Sequence, residues 1–134
     1  MIKMDLIPLQ SVGPFLFNSQ LSDYSDFSLY EVCEEYDEEV GWKSHTFPDK
    51  DIRIYTENGK IVSIACYDEL FLDEDNLIGL EIGVFESVIN SELTSSERIE
   101  LDSGIKEILD YDNIGIQAYV RNGFIDSITC SGDD

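Results

Sequence analysis

Residues 52–66, IRIYTENGKIVSIAC, and residues 116–130, IQAYVRNGFIDSITC, align without a gap. They share Ile52/Ile116, Tyr55/Tyr119, Asn58/Asn122, Gly59/Gly123, Ile61/Ile125, Ser63/Ser127, Ile64/Ile128 and Cys66/Cys130, eight matches in fifteen positions, which marks an internal repeat. Each copy sets an Asn-Gly pair between two β-rich runs. A type I′ turn needs positive φ at both central residues, and Asn-Gly meets that need, so two similar hairpins are predicted.

Working outward, the same offset sets Trp42 to Phe47 against Lys106 to Tyr111 as a third strand before each hairpin. Further upstream Val12-Gly13-Pro14-Phe15 faces Ile78-Gly79-Leu80-Glu81 at nearly that offset. Between these openings and the strands lie two candidate helices. Val84, Phe85, Val88, Ile89 and Leu93 fall along one helical face, predicting a helix from about Gly83 to Leu93. Leu21, Tyr24, Phe27, Val32, Tyr36 and Val40 give its counterpart a looser stripe within Ser19 to Val40. The expected fold is therefore α+β, with two similar helix-plus-three-strand halves forming an antiparallel sheet and the helices packed on one face. Residues 1–134 read as a single domain with an internal duplication of about 12–67 and 78–130, joined by the loop from Leu70 to Asn76.

Composition narrows the function. Eight Lys and Arg stand against 29 Asp and Glu in 134 residues, a formal charge of −21. Nucleic acid and an anionic membrane are improbable partners, because both are held by placing cations on phosphates. The charge favours a monomer and fast, steered encounter with a basic protein. With 43% hydrophobic residues and only three Pro, the chain reads as folded rather than disordered. Cys33, Cys66 and Cys130 are an odd, widely spaced set without a C-x-x-C, which suggests a reducing, cytoplasmic setting. The start shows no basic region with a long apolar run, and no stretch reaches the 18 apolar residues of a membrane span.

The search for chemistry returns mostly absences. His45 is the single histidine and has no G-x-S-x-G or Cys-His signature beside it, so it reads as a partly exposed strand residue. Cys66 and Cys130 occupy matching repeat positions, as small apolar packing residues would. No Walker or dinucleotide loop is found among the dispersed glycines, so no nucleotide cofactor is expected. Asp73-Glu74-Asp75-Asn76 with Glu69 has oxygen ligands for calcium but lacks the twelve-residue loop pattern, and a solvated acidic loop is the preferred reading. No catalytic residues, metal or cofactor are assigned.

That leaves the acidity as the candidate function. Ten acids lie between Asp23 and Asp51, densest at Glu34-Glu35-Tyr36-Asp37-Glu38-Glu39, with Tyr36 and Trp42 interleaved as aromatic anchors for a protein interface. Asp68 and Glu69 with Asp73, Glu74 and Asp75 form a second cluster. Together these are the candidate partner-binding residues.

The opening Leu6-Ile7-Pro8-Leu9-Gln10-Ser11-Val12-Gly13-Pro14-Phe15, with Val62-Ser63-Ile64-Ala65-Cys66 and Asn76-Leu77-Ile78-Gly79, resembles the bacterial immunity proteins of contact-dependent growth inhibition systems. That resemblance implies a cytoplasmic, non-enzymatic inhibitor of a cognate toxin C-terminal domain, commonly a nuclease whose cleft grips phosphates. An acidic surface can occlude such a basic cleft. Two other classes remain open: an acidic adaptor or regulatory domain for a resident basic protein, and a small carboxylate-based hydrolase or isomerase. A DNA-mimic antirestriction protein is a narrower rival.

Overall fold

The computed structural model describes residues 3–24, 33–37, 42–47 and 50–133. Three two-residue strands open it, β1 (Leu6–Ile7), β2 (Ser11–Val12) and β3 (Phe15–Leu16), followed by a 3-10 turn at Leu21–Tyr24. Four strands then run antiparallel in succession: β4 (Cys33–Asp37), β5 (Trp42–Phe47), β6 (Lys50–Glu57) and β7 (Lys60–Cys66). A small hairpin, β8 (Phe71–Leu72) and β9 (Asp75–Asn76), precedes α1 (Ile82–Ile89), the one α-helix among the described residues. A second antiparallel run closes the chain: β10 (Ser95–Leu101), β11 (Gly104–Tyr111), β12 (Ile116–Arg121) and β13 (Phe124–Ser131).

Both Asn-Gly pairs turn as their chemistry requires, with φ of 53° and 79° at Asn58 and Gly59, and 51° and 87° at Asn122 and Gly123. The hairpins they close match pair for pair. Ile52↔Cys66, Ile54↔Ile64 and Tyr55↔Ser63 in the first become Ile116↔Cys130, Ala118↔Ile128 and Tyr119↔Ser127 in the second. Even the register shift recurs, between Tyr55/Thr56 and between Tyr119/Val120. The turns are also buttressed alike: Ile61 N donates to Ser19 O at 2.9 Å, and Ile125 N to Leu80 O at 2.8 Å.

The two runs merge into one eight-stranded sheet of order β10-β11-β12-β13-β7-β6-β5-β4, joined where β13 pairs antiparallel with β7. The joining register is itself two-fold. Cys66↔Ile128 and Ile64↔Cys130 flank a central pair, Ala65↔Thr129, whose members are equivalent in the repeat.

Alternation along the strands gives the sheet an apolar face. One row across it runs His45, Ile54, Ile64, Cys130, Ile116, Tyr111, and the next runs Ile52, Cys66, Ile128, Ala118, Leu109. All are buried. Met4, Leu6, Val12, Phe15, Phe17, Leu70, Leu77, Phe85 and Ile89 complete one cluster against these rows. Each fully buried Ile or Phe contributes about 1.5–3 kcal/mol. Helix α1 seats Phe85 and Ile89, one turn apart, on the core, with the Phe85 ring 5.7 Å from that of Tyr111.

This architecture corrects the expected α+β fold of two helix-plus-three-strand halves. The chain is mostly β, and each half contributes four strands. Within Ser19 to Val40 the described residues hold the 3-10 turn and β4; Phe27, Val32 and Val40 of the expected helical stripe lie outside the described residues. The turn is held by Tyr24, whose hydroxyl accepts from Leu16 N at 2.9 Å and meets Ser19 Oγ at 2.8 Å. Beyond it, ladder pairing of Cys33–Asp37 with β5 prevails over the helical propensity of the glutamates. The second helix exists but is shorter than expected: Asn90 caps it in the left-handed region at φ 46°, and Leu93 lies beyond it, exposed.

Candidate functional site

The face of the sheet opposite the core is built of a different chemistry. Its central row runs Thr46, Arg53, Ala65, Thr129, Gln117, Asp110, Ser95. Beside it Tyr55 pairs with Ser44 and Ser63, and Ser63 with Ser131. The repeat places aromatic rings symmetrically. Trp42 lies against Tyr55 with ring centroids 6.0 Å apart, and at the matching positions the Lys106 ammonium lies 5.6 Å from the Tyr119 ring centre.

One departure from symmetry lies beside a cavity. The position that Tyr67 holds in the first copy is Ser131 in the second, and beside Ser131 lies a cavity of about 630 Å³. Trp42, Asp110, Asp112 and Asn113 are among the residues that line it. Ser63, Gln117, Thr129, Ser131, Leu9, Gly115 and Asp133 line it as well. None of the lining residues carries a positive charge.

Hydrogen bonds preset the acceptors. Asp110 receives Gln117 Nε2 on Oδ1 at 2.9 Å and Ser95 Oγ on Oδ2 at 2.8 Å, which fixes its carboxylate plane. Tyr119 donates its hydroxyl to Gln117 Oε1. Ser63 Oγ donates to Cys130 O at 3.0 Å. The Trp42 indole N–H donates to Glu57 Oε2 at 3.1 Å, fixing the ring. Burial first, then the neighbouring hydroxyl of Tyr55, pushes the Tyr67 phenol above its ordinary pKa, so that hydroxyl stays neutral at physiological pH.

Of the residues singled out from sequence, Trp42 alone lines this cavity. In the backbone ladder Asp37 is the partner of Trp42, Tyr36 of Lys43, Glu35 of Ser44 and Glu34 of His45. Glu38 and Glu39 lie outside the described residues. The second acidic cluster sits elsewhere. It follows the Cys66 end of β7, whereas Trp42 reaches the Glu57 end of β6, and five residues of strand separate those ends by about 17 Å. Within it Asp68, Asp73, Glu74 and Asp75 are exposed, but Glu69 is engaged in the fold, its Oε2 accepting from Met4 N at 3.2 Å. Asn76 Oδ1 is spent likewise on Leu70 N and Ile78 N. No group of three or more His, Cys, Asp or Glu placed to hold a metal ion occurs among the described residues.

Two further sequence readings meet the structure here. His45 is buried at 2% exposure, not partly exposed, because it fills the core row where the second copy has Leu109; its Nε2 meets Thr56 Oγ1 at 2.9 Å. Cys66 and Cys130 are buried free thiols. Burial, with a smaller push from Glu69, raises the Cys66 pKa to about 12, a protonated and unreactive state. The sequence reading missed Asp110, Asp112, Gln117 and Asp133. A signal existed for Asp110, which occupies the position matching Thr46 in the strand before the second hairpin.

A scan against protein-family models, a search of curated proteins and a search of solved structures each give no match to this chain. No helix among the described residues is long and apolar enough to cross a membrane.

Proposed function

We propose that this chain is a non-enzymatic binding protein for a basic protein partner, and that the partner is a toxin domain, a nuclease, which it neutralises by occlusion. The observation that carries this reading is the charge of −21 on 134 residues. Such a charge raises self-repulsion in the folded state, and a basic partner relieves it. Support comes from the exposed carboxylates of Asp68, Asp73, Glu74 and Asp75, none of which forms an ion pair with a cation among the described residues. The resemblance to immunity proteins turns a basic partner into a toxin and a binding protein into an inhibitor acting in the cytoplasm. Long-range attraction sets the association rate, and buried contacts set the dissociation rate.

The test mixes the purified chain with basic nuclease domains, each assayed alone and in stoichiometric mixture. One domain should lose its activity and co-elute with the chain at about 150 mM salt, where the Debye length is near 8 Å and unspecific attraction is screened. Charge reversal of Glu34, Glu35, Glu38 and Glu39 to Lys should slow that association most at low salt. A stably bound basic partner with undiminished activity would overturn neutralisation and leave an adaptor.

A further inference from the structure

We propose that the cavity beside Trp42 is the docking pocket for an arginine side chain presented by a basic polypeptide segment of the partner. This deepens the reading of an acidic binding protein and rests on it for the identity of the partner, though not for the chemistry of the pocket.

Three independent features specify the occupant. The first is charge: Asp110, Asp112 and Asp133 stand around a cavity whose lining holds no cation. The second is the geometry of the acceptors. Asp110 is locked by Gln117 and Ser95, so its remaining lone pairs are held in a fixed plane, as a guanidinium fork requires. The third is the indole wall. Trp42 is pinned by Glu57 and lines the same cavity, offering an aromatic surface to the stem of a long cationic side chain.

The chain supplies an internal precedent for the last contact. At the positions matching Trp42 and Tyr55, its own Lys106 ammonium lies 5.6 Å from the Tyr119 ring centre. This face therefore already pairs a cation with a tyrosine ring in one half. In the other half an uncharged indole stands in the lysine's place, beside an acidic cavity. A volume of about 630 Å³ is within the range of ligand pockets and accommodates one long side chain with part of its backbone.

The single tryptophan makes the test direct, since Trp42 emission reports on this wall alone. The probe is an acetylated, amidated hexa-arginine peptide titrated at about 150 mM NaCl, with hexa-lysine in parallel. Arginine peptide should change Trp42 emission saturably and bind more tightly than lysine peptide. Asp112→Asn with Asp133→Asn should weaken binding by roughly tenfold or more, and Trp42→Phe should weaken it in calorimetry. The control is Asp73→Asn, Glu74→Gln and Asp75→Asn together. It removes more charge than the cavity variant but should change affinity less than about threefold, as a screened distant effect.

Absence of a saturable change, equal binding of the lysine peptide, or equal weakening by the loop control would overturn the proposal. Circular dichroism and urea midpoints of the Asp112→Asn, Asp133→Asn variant should match the parent, since Asp112 and Asp133 are exposed. The two readings fail separately. A toxin neutralised equally well by the cavity variant removes the pocket and keeps neutralisation. Arginine binding without inhibition of any toxin removes neutralisation and keeps the pocket.

Discussion

Ala65 and Thr129 stand opposite each other at the centre of the eight-stranded sheet, and the two halves of the chain exchange about that pair. To either side the partners interchange, Cys66 with Ile128 and Ile64 with Cys130. Equivalent residues along this seam consequently share equivalent strand partners, and mutations there can be compared in matched pairs.

Ile64 and Ile128 are both fully buried in the core rows. Truncation of either to Ala should cost about 2–5 kcal/mol, through lost transfer energy and the cavity left behind. With matching strand partners, the two costs should be of similar size. Urea midpoints at constant m-value provide the comparison; a much smaller loss at one site would show that the two halves differ in packing.

Glycines at positive φ should rank by what a methyl group would meet. A Cβ at Gly123 meets nothing within 4 Å, so Gly123→Ala should cost only the left-handed backbone penalty, about 1–2 kcal/mol. At Gly115, with φ 66°, a Cβ would lie 2.3 Å from Ser131 O and 2.8 Å from Leu9 Cδ2. Gly115→Ala should therefore be the more damaging change, read as the larger fall in thermal midpoint.

Alkaline pH should destabilise the protein through protons that the folded state keeps. Burial raises the Cys66 thiol from 9.0 to about 12, and burial with the Glu86 carboxylate raises the Tyr111 phenol from 10.0 to about 12. The unfolded chain releases these protons first. The contribution is fully present below pH 9 and is lost as pH climbs toward 12. Tyr111→Phe should flatten the fall in urea midpoint above pH 10. Cys66 and Cys130 should resist iodoacetamide at pH 8 until the protein is unfolded, as peptide mass mapping would show.

Salt should stabilise. With a charge of −21, added NaCl screens self-repulsion between exposed carboxylates, so the thermal midpoint should rise from about 10 mM to about 150 mM. A falling midpoint would mean that attractive ion pairs such as Lys3–Asp5 dominate the surface.

The hairpins were legible because turn chemistry is local: Asn58-Gly59 and Asn122-Gly123 specify their own dihedrals and hence the register around them. The fourth strand of each half was not. Ser95–Leu101 is an edge strand with most of its residues exposed, so no apolar alternation announces it. The stripe from Leu21 to Val40 misled for a related reason. Leu21 and Tyr24 do pack on the core, but from a 3-10 turn, and Tyr36 belongs to a strand. Trp42 stood out in the sequence by its acidic neighbours. Asp110 and Asp112 line the same cavity as Trp42 because β13 joins β7, a pairing that no local pattern encodes.

That junction also dictates an order of events while the chain is being made. Within each run of four strands the paired residues are at most about fifteen positions apart, as in Ser95↔Asp110, whereas Cys66↔Ile128 spans 62. Closing the longer span costs about 1 kcal/mol more in chain entropy. The first run can therefore assemble on the ribosome while its partner is still untranslated. Until the last strand emerges, Ser63, Ile64, Ala65 and Cys66 form an open, largely apolar edge able to capture the same strand of a neighbouring nascent chain. Surplus negative charge then acts as a guard on the half-made molecule, holding such chains apart before there is any sheet to complete.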